Sequence, residues 1–180
     1  RDRLRSRGLG DVYKRQDVPM EHNLLKNTDV PCMMVTSPKG LEYLEKNFKG
    51  TYLVAKETDS EEVIKEKLDK AGKGVLPVLV TGKGGFPDST VTMKILKKIG
   101  IKRLLIESPG YGHYLVKQKM MDEFFLNLSA VYIGGGDTMT LGKADKGFLA
   151  EAHPHTQILS IHMYNDYFAY FRYKFNYDYV

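Results

Sequence analysis

Cysteine is all but absent from this chain of 180 residues: Cys32 is the only one. A single thiol excludes an internal disulfide framework and a multi-thiolate zinc site. At the start of an apolar run, it reads as a small buried hydrophobe. Apolar runs are short, and none approaches the ~18 residues of a membrane-spanning helix. No secretory signal stands out, so a cytoplasmic location is the default expectation. Internal repeats and low-complexity tracts are also lacking.

Net charge is scarce once the first residues are set aside. The chain holds 27 Lys and Arg against 22 Asp and Glu, a formal net of +5. Residues 1–16 contribute +4 of this, and they read as a translated sequencing adapter joined to a gene fragment whose true start lies upstream. They are left out of fold reasoning, as an expression scar would be. The remainder, near neutral, gives no electrostatic footprint for nucleic acid or a membrane surface.

Familiar catalytic signatures fail as well. Gly82-Lys83-Gly84 lacks the third glycine of a dinucleotide fingerprint, because position 87 is proline. Gly142-Lys143 lacks the other P-loop residues, with Asp137 and Ala144 where glycine and a hydroxyl residue are needed. Ser108 has no nucleophile elbow around it. His153, His155 and His162 lack metal-ligand spacing, so no metal is expected.

What is present is an alternation of strand and helix. Short apolar runs at Cys32–Thr36, Thr51–Ala55, Leu76–Thr81 and 103–106 read as strands, the last as one buried on both faces. Between them, helical spacing carries Leu41, Leu44 and Phe48, then Val63, Ile64, Leu68 and Ala71, then Val91, Ile95, Leu96 and Ile99. Ser37-Pro38 suits the first helix start, and Asp59 with Glu62 suggests a capping box for the second, which runs to about Ala71. Asp88 or Ser89 caps the third, and Gly100 stops it. This order predicts parallel strands joined by right-handed crossovers. From Gly112 the pattern turns helical again, and a strand runs from Glu123 to Ile133. Residues 137–156 form a loop, and Gln157–Met163 with Tyr167–Phe175 form an antiparallel hairpin around Asn165-Asp166. In the last strand Tyr167, Ala169, Phe171, Tyr173 and Phe175 share one face, an apolar stripe suited to core or subunit interface.

The stretch from Lys102 to Gly136 carries the most specific pattern. A strand ends at Glu107, Ser108-Pro109-Gly110 turns the chain, a short helix follows, and a strand closes on Gly134-Gly135-Gly136. A strand running through a small-residue turn into a helix leaves backbone N–H groups that can hold phosphate. A plain tight turn explains the same residues without a ligand. Likewise, Ser37 reads as a helix cap or as a ligand contact, and the Gly134–Gly136 turn as a strand ending or as a place of close approach.

The order Glu107-Ser108-Pro109-Gly110, Asp122-Glu123-Phe124 and Gly134-Gly135-Gly136 resembles the reductase domain of the bifunctional riboflavin-biosynthesis deaminase–reductase family. The resemblance implies a dihydrofolate-reductase-like α/β fold: a mixed, mostly parallel central sheet flanked by helices, with a C-terminal antiparallel hairpin. It implies one reductase domain over residues 17–180, lacking the family's N-terminal strand and upstream substrate-binding segment. The implied activity is NADPH-dependent reduction of a phosphorylated ribosylaminouracil to its ribityl form by a homodimer. Glu107 would contact the pyrimidine and orient it, since no general acid stands out. The cofactor would be met by Thr36 and Ser37, by Thr81 and Gly82, and by Ser108, Pro109, Gly110, Tyr111, Gly112, His113, Tyr114 and Leu115. Pro109 has no N–H and removes one donor. Two alternatives stand beside this reading. One is a non-catalytic nucleotide-binding or dimerisation module; the other is a related reductase acting on a different small carbonyl or imine.

Overall fold

The computed structural model describes residues 19–26, 30–133, 141–142, 147–149 and 152–178. Within them the chain runs α1 (Asn23–Lys26), β1 (Met34–Thr36), α2 (Pro38–Asn47), β2 (Thr51–Lys56), α3 (Glu61–Leu68), β3 (Val75–Val80), α4 (Ser89–Lys98), α5 (Pro109–Lys117), β4 (Glu123–Ser129), β5 (His155–Asn165) and β6 (Phe168–Asn176). The expected α/β class is observed. The strands are hydrogen-bonded as two sheets: a parallel one in the order β1-β3-β2, and an antiparallel one in the order β4-β6-β5. The chain divides into two compact units, Arg1–Ser108 and Pro109–Val180.

In the first unit, β3 is the central strand, and its alternation builds two cores. Leu76, Val78 and Val80 pack with Leu25, Leu44 and Phe48 of the α1 and α2 segments. Leu79 packs on the other face with Val35, Ala55, Ile64 and Ile95, the last two from α3 and α4. Period-two alternation in a strand buried on both faces requires helices on each side, and the crossovers supply them.

Several sequence expectations shift here, for local reasons. The first strand spans Met34–Thr36 rather than Cys32–Thr36. The Thr81 N–H donates to Thr36 O at 3.0 Å, so every second residue of β3 below it faces β1. Two steps down is Pro77, fully buried, with no N–H to offer at the level of Cys32. The ladder therefore ends at Met34. Cys32 stays outside the strand, half-buried beside the first core, and burial raises its thiol pKa.

Helix α3 begins after Ser60, whose hydroxyl accepts the Val63 N–H at 3.4 Å. Asp59, expected as the cap, instead accepts from the Lys56 N–H at 3.1 Å and from Lys67 Nζ at 2.8 Å. The helix ends at Leu68 rather than near Ala71, and Val63 is 40% exposed. Helix α4 matches its signals closely: Asp88 caps it through the Val91 N–H at 2.9 Å, and Gly100 ends it at φ +100°.

Residues 103–106 are not a strand; Leu105 is 70% exposed. An apolar run becomes a strand only where a partner edge lies alongside, and among the described residues this run pairs with none. Helix α5 starts at Pro109, ahead of the expected Gly112, because proline at the first helical position is already set to helical φ. It closes on Lys119 at φ +56°, with Met120 N–H on Leu115 O at 2.9 Å.

In the second unit, β4 stops at Ser129, not Ile133, and 131–133 lie exposed outside any strand. The hairpin forms, with β5 longer than expected and irregular register at Ile158/Ser160 and Met163/Asn165, but β6 starts at Phe168, so Tyr167 falls in the exposed turn and not on the strand face. Ala169, Phe171, Tyr173 and Phe175 do share the more buried face of β6. Gly134–Gly136 and residues 1–16 lie outside the described residues, as does half of the 137–156 loop. No helix among the described residues is long and apolar enough to cross a membrane.

Candidate functional site

Parallel strands end together, so the C-terminal ends of β1, β2 and β3 share one rim of the sheet. From adjacent strands β1 and β3 the chain leaves toward opposite faces: β1 into α2 with the first core, β3 into α4 with the second. Such a divergence is a topological switch point, where open α/β sheets form their ligand crevice. Four residues named from sequence meet at this one. Thr36 and Ser37 come from the end of β1, Thr81 and Gly82 from the end of β3, and the Thr81 N–H bond to Thr36 O joins them.

Each is held by identifiable contacts. Ser37 is 2% exposed, and its hydroxyl accepts the Gly40 N–H at 3.2 Å, capping α2. Gly40 lies so close to the strand end that a Cβ there would stand 1.9 Å from Thr36 Oγ1. Glycine in a first helical turn is unfavourable relative to alanine, and close approach accounts for its presence.

Thr81 is fully buried with its hydroxyl fully used. It accepts from the Asp88 N–H at 3.1 Å and lies 2.9 Å from Thr92 Oγ1. Thr92 donates to Asp88 O at 2.7 Å, and the Thr81 hydrogen can go to Thr92 or to Asp88 O, the latter at 3.4 Å. This network ties the end of β3 to the start of α4. Replacing Thr81 with valine takes the acceptor from the part-buried Asp88 N–H, at a cost of about 1 kcal/mol. Thr81→Ser keeps the oxygen and should lose much less; urea unfolding of both variants measures the difference.

Gly82 adopts φ +80°, and its N–H donates to Glu57 Oε2 at 2.8 Å. Glu57 follows β2, with its own N–H on Val80 O at 3.1 Å. Thr92, Gly40 and Glu57 had no part in the sequence-level site. Only Gly40 had a local signal, a glycine inside a helix start.

The remaining named residues fall at the division of the chain. Glu107 and Ser108 close the first unit, and Pro109 opens the second as the first residue of α5. On that helix Tyr111 and Leu115 are buried, so their side chains serve packing. Tyr114 is exposed and lies parallel to Tyr111, ring centres 6.3 Å apart. Gly110 and Gly112 fall within the helix.

His113 sits 5.0 Å from the Phe148 ring, and its Nε2 is buried without a hydrogen-bond partner. Burial, and then the nearby Lys117 cation, lower its pKa from the ordinary histidine value. The folded protein therefore takes up this proton only at lower pH than the unfolded chain does. Stability from this residue is present above about pH 6.5 and is lost as pH falls through the depressed folded value. His113→Phe should remove this part of the acid dependence, read from urea midpoints between pH 8 and 5.

Among the described residues, no three His, Cys, Asp or Glu side chains gather as metal ligands.

No protein-family model matches the chain, and no curated protein does. Among solved structures, it is similar to a crystal structure from Shewanella sp. PV-4, described provisionally as a riboflavin biosynthesis protein. The two share 17% identity at a TM-score of 0.43, over 81% of this chain and 75% of that one. A likeness of that strength does not bear on what this chain does.

Proposed function

We propose that the chain is an NADPH-dependent reductase of the pyrimidine type, with the rim at the ends of β1 and β3 forming part of its dinucleotide site. The observation that carries this reading is the convergence of Thr36, Ser37, Thr81 and Gly82 at a topological switch point. The donor set fits phosphate at the β1 end. There the Ser37 oxygen accepts from Gly40, and its own hydrogen has no acceptor among the described residues. The α2 N-terminus adds favourable backbone dipoles. The chain aligns the ligands and excludes water. A nicotinamide held there would supply hydride for the ribosylamino carbon, whose bond to the ring oxygen would break as that oxygen took a proton from solvent. Glu107 orients the pyrimidine in this scheme.

A homodimer fits the edge strand β5. It carries no Lys, Arg, Asp or Glu over eleven residues, and Ile158, Ile161 and Met163 are all more than half exposed.

The test is an NADPH fluorescence titration of the protein and of Ser37→Asp. Aspartate is compatible with a helix cap, while its charge repels phosphate. Binding lost in the folded variant supports the reading, and binding kept there overturns it. Absence of binding to the folded protein overturns it. Binding without NADPH oxidation in the presence of a ribosylaminouracil phosphate leaves the non-catalytic module.

A further inference from the structure

The switch-point rim already holds an anion of its own. Glu57 is fixed beside β3 by its N–H bond to Val80 O, and its Oε2 accepts the Gly82 N–H at 2.8 Å. The Gly82 peptide has little freedom to turn away. Phe86 O and Asp88 N lie 2.8 and 3.0 Å from where a Cβ would stand, and Asp88 is itself bonded to Thr81. Among the described residues no lysine or arginine lies in ion-pair range of Glu57, and its second oxygen has no hydrogen-bond partner there. An unneutralised carboxylate thus takes a backbone donor at the end of β3. One strand away, Ser37 and the α2 N-terminus favour negative charge.

We infer that Glu57 is a specificity-determining residue of this site: its carboxylate competes with ligand phosphate for the Gly82 N–H. The inference rests on the reading of the rim as a dinucleotide site. A phosphate that takes this N–H meets a like charge within hydrogen-bonding distance, which weakens it or requires the Glu57 side chain to swing out. Ligands that carry no phosphate meet no such opposition.

The experiment compares NADPH with adenosine, which carries no phosphate, on the protein, Glu57→Gln and Glu57→Ala. Glutamine keeps an oxygen for the Gly82 N–H and removes the charge. Glu57→Gln should bind NADPH about tenfold more tightly, with adenosine unchanged within about twofold. The gain should shrink at high salt, a readout that a merely structural role would not give. Should the glutamine variant fail to fold, Glu57→Ala carries the same expectation. Unchanged or weaker NADPH binding in a folded variant overturns the inference and leaves the site reading intact. If the protein and both variants are folded and none binds NADPH, the site reading and this inference fall together.

Discussion

Gly82→Ala is expected to destabilise the protein by about 3 kcal/mol. The left-handed backbone at φ +80° costs an L-residue about 1–2 kcal/mol. The new methyl also meets backbone: Phe86 O at 2.8 Å and Asp88 N at 3.0 Å. Neither can retreat cheaply, because Asp88 both binds Thr81 and caps α4. Overpacking of this kind adds about 1–3 kcal/mol. In a chain of this size the melting temperature should fall by about 6–12 °C. Gly84→Ala in the same loop is the control: a Cβ there meets nothing within 4 Å, so its effect should stay within about 0.5 kcal/mol. Thermal unfolding of the pair separates a positional requirement from a general sensitivity of the loop.

Gly40→Ala carries the second large effect, with a sign opposite to helix propensity. In an unobstructed helix the change would stabilise by about 1 kcal/mol. Here the methyl would stand 1.9 Å from Thr36 Oγ1 and 3.3 Å from Thr36 Cβ. The hydroxyl must rotate away or α2 must move off the strand end, and the net expectation is a loss of about 2 kcal/mol. Thr36→Ala removes the clashing oxygen and leaves a 3.3 Å contact that a shift of a few tenths of an ångström relieves. The double variant should therefore be more stable than Gly40→Ala alone, with a coupling energy of about 2 kcal/mol in urea unfolding. Additive losses would mean that Gly40 is needed for some reason other than its approach to Thr36.

These two glycines mark the boundary of what the sequence reveals. Features decided within a few residues were legible. Asp88 and Gly100 bracket α4 because a cap and a left-handed stop act locally. Leu76 to Val80 reads as a buried strand because an unbroken apolar run has few other homes. The early end of β1 was not legible, although Pro77 is in plain view. Its missing N–H matters only once the register with Met34–Thr36 is known. Residues 103–106 show the same limit: composition says that such a run favours burial, but pairing depends on a neighbouring edge that composition does not encode. At the site, local signals place Thr36, Ser37, Thr81 and Gly82 at strand ends and helix starts, while only the family resemblance named them as cofactor contacts. Glu57 could not, because it reaches Gly82 across 25 residues through the return of β3 beside β2. The Thr81–Asp88–Thr92 network was hidden for a related reason: its hydroxyl partners become evident only once the loop after β3 folds back.

The central claim is that a dinucleotide binds at the ends of β1 and β3. Amide chemical-shift mapping of the 15N-labelled protein during NADPH titration tests it most directly. Saturable shifts are expected at Thr36, Ser37, Glu57 and Gly82, with β5 amides from Ile158 to Met163 unmoved. Shifts confined to residues away from this rim, or none at saturating NADPH, would contradict it.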